Sequence, residues 1–267
     1  MDILADILAS LRLSGGIVFD AQTRGEWRLL SRFQPEDCAP FFPTPERIIS
    51  YHYIRRGRMF AQLPGQPAVE LREGSMVLFP RNDPHYLFTG ADCPPVDIAR
   101  FVGPRVGSAP NTIRMNFKGD PADCYCGWLG VTSGDHPLLG ALPPMMVIGP
   151  DAFAADWIVS SLRIAADDWN ASPALVAKIS ELFFAQAVRR HVQGLEGRDG
   201  GWLAGLRDPA VARALRVIHS RYAEELEIDG LAREAGVSQT VLRDRFVRLL
   251  GEPPMRYCAQ WRRRQRR

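Results

Sequence analysis

The sequence predicts an α+β chain: a β-rich amino-terminal barrel or sandwich, a helical middle segment, and an all-α helix-turn-helix piece at the carboxyl end. Three observations predict it. Short β-rich runs broken by turn signals fill residues 15–109, and helix-period apolar patterns take over after residue 150. Two short helical patterns then flank Ala235-Gly236-Val237 near the carboxyl end. The implied domains are 1–150 (β-rich domain), 151–200 (helical segment and linker) and 201–267 (helix-turn-helix piece).

Length and composition set the bounds. A chain of 267 residues can bury more than one core, and 46% hydrophobic with 24% charged residues is ordinary globular usage, which excludes disorder. No stretch reaches the roughly 18–20 apolar residues of a transmembrane helix. The opening "MDILADILASLRL" is no targeting segment, because Asp2 and Asp6 interrupt it. Its Ile3, Leu4, Ile7, Leu8 and Leu11 keep helix spacing, so it reads as an amphipathic helix of a cytoplasmic protein without a membrane partner. Five cysteines, an odd number, point to free thiols.

The elements follow in order. "RIISYHYI", "RMFAQL", "AVEL" and "SMVLFP" are strand-like runs separated by Arg-Gly, Pro-Gly-Gln-Pro and Glu-Gly, and "TIRMNF" and "CYCGWLGV" continue them. Strands this short and this closely spaced suit a barrel or sandwich. Residues 151–169 place Phe153, Trp157, Ile158, Leu162 and Ile164 on one helical face. Residues 173–192 do the same with Leu175, Ile179, Leu182, Phe183 and Val188, and Pro173 suits a first helical turn. The Gly-rich residues 193–208 read as a linker. Asp208 and Pro209 then start a helix whose stripe is Val211, Leu215, Ile218 and Tyr222.

The next stretch, "LAREAGVSQTVLRDRFVRLLG", carries the strongest signal. Leu231 and Ala235 share a face, Gly236 permits the left-handed turn, and Ser238 caps a second helix anchored by Leu242, Phe246 and Leu249. The other side presents Gln239, Thr240, Arg243, Asp244 and Val247, with Gln and Arg suited to base edges. The DNA-binding set is therefore Ser238, Gln239, Thr240, Arg243 and Asp244, with Arg245 and Arg248 for phosphates. From Asp208 onward 13 Arg face 8 Asp/Glu, a net +5 against +3 for the whole chain, which fits a polyanionic partner. An αα-hairpin inside a helical domain is the alternative.

Residues 208–262, with "LAREAGVS", Arg245-Phe246, Gly251, Pro253-Pro254-Met255, Tyr257 and Trp261-Arg262, resemble the DNA-binding domain of AraC/XylS-type transcriptional regulators. Upstream, "YHYIRRG", "REGSMVLFPRNDPHYL", "CG", "HPLLGALPP" and "ELFFAQAVRR" resemble the cupin-type sensor domain of one AraC subgroup. The resemblance implies a regulator, not an enzyme, that binds promoter double-stranded DNA and answers a small-molecule or oxidant effector. It also implies a homodimer formed through Leu175–Val192. Family members carry a second helix-turn-helix beyond a linker helix; this chain stops at Arg267, which reads as a truncation with that second reader missing.

The cupin resemblance brings candidate metal ligands. His52 stands in "YHYI" without the paired His of a His-x-His motif, and His85 matches the second cupin motif. Cys124 and Cys126 alternate with Tyr125, so both thiols face one side of a strand. His52, His85, Cys124 and Cys126 form a reasonable set for zinc or another divalent metal. The alternatives are a metal-free barrel with inert Cys, and, for the whole chain, a metal-dependent cupin enzyme with a helical appendage. His136 reads as a capping or turn residue.

Overall fold

A computed structural model describes residues 4, 7, 8, 11–102, 112–132, 136–150, 160–164, 173–194 and 201–265. Phe153, Trp157 and Ile158 of the expected first middle helix lie outside them, as do Arg266 and Arg267. The chain divides into two compact units. One comprises Leu13–Thr132 and Pro143–Ala187; the other gathers Met1–Arg12, Ser133–Leu142 and Val188–Arg267.

The first unit is a sandwich of two sheets, which resolves the choice between barrel and sandwich. Strands β1 (Leu13–Arg24), β3 (Arg47–Arg56), β6 (Met76–Phe79), β9 (Thr112–Asn116), β10 (Asp123–Val131) and β11 (Met146–Ile148) form one sheet, in the order β11-β6-β3-β10-β1-β9. Strands β2 (Arg28–Ser31), β4 (Arg58–Gln62), β5 (Val69–Arg72), β7 (His85–Phe88) and β8 (Val96–Asp97) form the other, in the order β5-β4-β7-β2-β8. The core between them draws on both: Phe19, Ile54, Phe79, Cys124, Cys126 and Trp128 from the first sheet, Leu29, Met59 and Leu87 from the second. Trp128 is stacked on Phe33 at 4.1 Å and meets Phe19 edge-on at 5.6 Å within that core.

Strands β3 and β10 are buried on both faces, because helix α2 (Pro173–Gly194) covers the outside of their sheet. (Helix α1, Pro137–Ala141, precedes it.) The covered sheet face is nearly flat. Gly16 lies under Ala177, and a Cβ on Gly127 would fall 2.0 Å from the Ile17 carbonyl and 2.7 Å from the Tyr51 hydroxyl. Tyr51 crosses over Gly127, its partner in register, and its hydroxyl stands 3.2 Å from Ser180 Oγ of α2.

The buried stripe of α2 is Val176, Ala177, Ser180, Phe183, Phe184, Ala187 and Val188. The sequence placed Leu175, Ile179 and Leu182 on the apolar face with Phe183 and Val188. In the structure Leu175 and Leu182 are exposed and Ile179 is half-buried, because the face turned to the sheet is the one that carries Ala177 over Gly16, Ser180 beside Tyr51, and Phe183 and Phe184. Ile164 is exposed as well, whereas Leu162 of the same short helical piece is buried.

The second unit is helical, with α3 (Trp202–Gly205), α4 (Pro209–Ser220), α5 (Ile228–Ala235), α6 (Gln239–Leu250) and α7 (Pro254–Gln265). Leu4, Ile7 and Leu8 are helical and buried, in keeping with an amphipathic start. Tyr222 departs from expectation: α4 ends at Ser220, and Tyr222 sits half-buried beyond it. His136 caps α1 through Nδ1, which accepts from the Leu138 amide at 3.2 Å, and its ring meets Trp261 edge-on. Trp261, fully buried, is stacked on His219 at 4.0 Å. Among the described residues no helix is long and apolar enough to cross a membrane.

Candidate functional sites

Two constellations stand out, one in each unit. In the helical unit, α5 ends at Gly236, whose φ of 72° is left-handed; its amide and that of Val237 return to carbonyls of the last turn. Arg213 of α4 reinforces that end by donating twice to the Ala235 carbonyl, at 3.0 and 2.6 Å. Ser238 then caps α6, accepting from the Val241 amide at 3.3 Å. Leu242 and Phe246 are fully buried and Leu249 is half-buried, so α6 is held by one side as its spacing requires.

The opposite side of α6 is open. Gln239, Thr240, Arg243 and Asp244 are exposed, and with Pro254 and Met255 at the start of α7 they line one groove. Val241 and Val247 are exposed too; the sequence singled out Val247 but not Val241. Gln239 is bound to Asp229 of α5. Arg248 is exposed, but Arg245 is half-buried and paired with Asp208 at 3.1 Å. Spacing alone could not show that partner, since Asp208 lies 37 residues upstream.

The second constellation lies inside the sandwich. Antiparallel register sets Cys126 opposite His52 and Cys124 opposite Ile54, so both thiols and the His52 ring point inward from neighbouring strands. One ligand atom from each of His52, Cys124 and Cys126 lies within 4.8 Å of the others. His85 enters from the facing sheet, its Nε2 3.0 Å from His52 Nε2 and its ring stacked on Phe79 at 3.5 Å.

The hydrogen bonds fix the chemistry of the pair. His85 Nδ1 lies 2.8 Å from the Asp83 carbonyl, which only accepts, so Nδ1 carries the proton and Nε2 presents a lone pair. His52 Nδ1 is buried without a partner. Burial lowers both imidazoles: His85 falls to about 4 despite the Asp83 hydrogen bond, and His52 falls further below its usual value with His85 adding to the effect. Both rings are therefore neutral at physiological pH. Cys124 is pushed well above the ordinary thiol value by its hydrogen bond with Cys126, then by burial, then by the charges of Cys126, Asp20 and Asp123. It is a protonated, unreactive thiol in this state.

This donor set fits a divalent cation. His52 and the two thiols converge, and a hydrogen-bonded Nδ1 orients the neighbouring His85 ring as in metal-binding histidines; because His85 Nε2 accepts, His52 Nε2 carries the proton between the rings and the His52 lone pair falls on Nδ1, which no protein group satisfies. The adjoining cavity encloses about 20 Å³ and is lined by His52, Cys124, Cys126, Trp27, Trp128 and Ser31 among others. That is room for one water-sized occupant. Ser31, opposite His85 in register, has a buried Oγ without a partner and was not foreseen, since a lone Ser in "RLLS" carries no signal. All five cysteines are free, as expected.

A cupin family model matches residues 2–193. The chain is 26% identical over 268 residues to an AraC-like transcription regulator of Streptomyces antibioticus, covering 98% of this chain and 83% of that protein. It is 27% identical over 268 residues to an AraC-like transcription regulator of Streptomyces lividans, with the same coverage of 98% and 83%. Among solved structures, fatty-acid-bound ToxT from Vibrio cholerae aligns over 92% of this chain and 95% of its own, at 10% identity and a TM-score of 0.33, too loose to establish a shared fold. By its family match the chain belongs to the cupin family, and along nearly its whole length it is similar to AraC-like transcription regulators.

Proposed function

We propose that the protein is a DNA-binding transcription regulator, with α6 as its major-groove reader and the sandwich as its sensor. The observation that carries this reading is the capped helix α6, anchored by Leu242 and Phe246 and free on the face of Gln239, Thr240, Arg243 and Asp244. Gln239, Thr240 and Arg243 read base edges, Ser238 and Asp244 border that face, and Arg248 grips phosphate. Arg245, paired with Asp208, positions α6 and reaches a phosphate only through its remaining donors. The similarity to regulators favours this role over that of a cupin enzyme.

Within the sensor, His52, His85, Cys124 and Cys126 would hold zinc or another divalent metal. Such an ion stabilises thiolates that burial otherwise suppresses, and so makes the cysteines responsive to oxidants. Oxidised sulfur is a poor ligand, so an oxidant such as hypochlorite would release the tie between β3, β7 and β10. A cavity with room for one water-sized occupant suits an ion in this space. Exposed Leu175 and Leu182 on α2 support a homodimer, which would bring two readers to one promoter.

Fluorescence anisotropy with duplex DNA flanking the gene tests the reading. Saturable binding that prefers one segment over scrambled sequence is expected, and equal affinity for all sequences would overturn it.

A further inference from the structure

At the end of the first sheet where β1, β3, β9 and β10 converge, the outer surface carries an open groove walled by Arg24, Arg55, Arg56 and Arg114. Strand alternation puts it there. Ala21, Thr23, Ile113 and Met115 turn into the sandwich, so Gln22, Arg24, Arg114 and Asn116 project outward from their strands. The parallel pairing of β1 with β9 sets Gln22 beside Arg114 and Arg24 beside Asn116. Cationic and amide groups thus alternate along the groove.

Arg55 is organised by the protein itself. Its Nη2 lies 2.9 Å from Asp20 and 3.6 Å from Asp123, and its guanidinium stands 5.2 Å from the centre of the Tyr125 ring. (The Asp20 contact is close enough for an ion pair, though bent away from hydrogen-bond geometry.) The other oxygen of Asp123 accepts from the Thr23 amide at 3.1 Å. Both carboxylates are therefore engaged. Arg24, Arg56 and Arg114 are exposed, and none of them takes part in an ion pair among the described residues. Three guanidiniums left unneutralised around one groove repel each other, and an anion relieves that repulsion.

We infer that this groove binds a small phosphorylated ligand. Guanidinium forks match oxyanions bidentately, and a carboxylate offers two oxygens where three free forks need more. A phosphoryl group supplies three oxygens and close to two negative charges. Gln22 and Asn116 then donate to or accept from the rest of the ligand. The site is a second input to the sensor domain, on the opposite face of β1 and β10 from the histidine–cysteine cluster.

Calorimetric titration of the full chain with inorganic phosphate and pyrophosphate, at constant ionic strength set by chloride, tests the assignment without DNA or metal. Pyrophosphate should bind saturably and more tightly than phosphate. Arg114→Ser and Arg24→Ser, both exposed and outside any ion pair, should each weaken it at least fivefold with unchanged thermal unfolding. A response that stays linear, or is equal in wild type and both variants, overturns the proposal. So does displacement of pyrophosphate by short duplex DNA with equal loss of DNA affinity in both variants, because the groove would then belong to the nucleic-acid surface.

Discussion

Arg245 reaches back from α6 to Asp208, the N-cap of α4, with Nη1 3.1 Å from each carboxylate oxygen. The same carboxylate accepts from the amides of Ala210 and Val211 at 3.0 and 3.1 Å. One side chain caps α4 and ties α6 to it.

Asp208→Ala removes cap and ion pair together and should cost about 1–2 kcal/mol. Arg245→Ala loses only the half-exposed pair and should cost about 0–1 kcal/mol. Partial burial raises the Asp208 pKa, but the Val211 amide, Arg245 and the Ala210 amide outweigh it and hold the carboxyl below its usual value. A depressed carboxyl contributes stability that is complete above its unfolded pKa of about 3.9 and is lost as pH falls through the folded value. Urea melts should therefore show wild type and Asp208→Ala converging below about pH 4; an undiminished gap there would refute the linkage.

Base reading and phosphate binding separate by substitution. Arg243→Ala should relax preference at one or two base positions, at about 1–3 kcal/mol for its cognate site. Arg248→Ala should weaken binding to every sequence alike and reduce the salt slope by about 1. Competition assays across point-substituted duplexes check both, and unchanged preference in Arg243→Ala would reassign the reading face.

Metal content checks the sensor. Protein purified without chelator should carry one equivalent of zinc or a similar ion, and lose it on mild hypochlorite treatment. Cys126→Ser and His52→Ala should each lower metal affinity at least tenfold. Elemental analysis before and after oxidation decides; protein that takes up no added zinc would leave the cluster a hydrogen-bonded core.

Gly230, at the third position of α5, is the simplest stability test. A Cβ there meets nothing within 4 Å, and its φ is not positive. Gly230→Ala should raise stability by roughly 0.5–1 kcal/mol. Thermal melts of the isolated substitution would show it, and a lowered midpoint would refute the reading of Gly230 as an unconstrained helix position.

Much of this was legible in the sequence because it rests on local rules. Period-2 alternation put Cys124 and Cys126 on one face, and Asp208, Ser238 and Gly236 marked helix ends by chemistry that acts within a turn. The pairing of His52 with His85 is different: two sheets must face each other before those rings meet, and only family resemblance suggested it. Helix α2 shows the limit of periodicity. Its spacing puts Leu175, Ile179 and Leu182 on one apolar face with Phe183 and Val188, and the structure buries only the last two fully. The face turned to the sheet carries Ala177 over Gly16 and Ser180 beside Tyr51 instead. Arg245 reads as a phosphate ligand from its position away from the Leu242–Phe246–Leu249 stripe; its partner Asp208 arrives through tertiary packing.

The helical unit is stitched from three separate stretches of chain, with His136 from one of them set against Trp261 of another at 5.4 Å. It is therefore not a cassette. A fragment excised at residue 201 would keep the reading helix yet leave one side of the Trp261 indole without its imidazole neighbour. Grafting the helical unit onto a foreign β domain would require carrying residues 133–142 along.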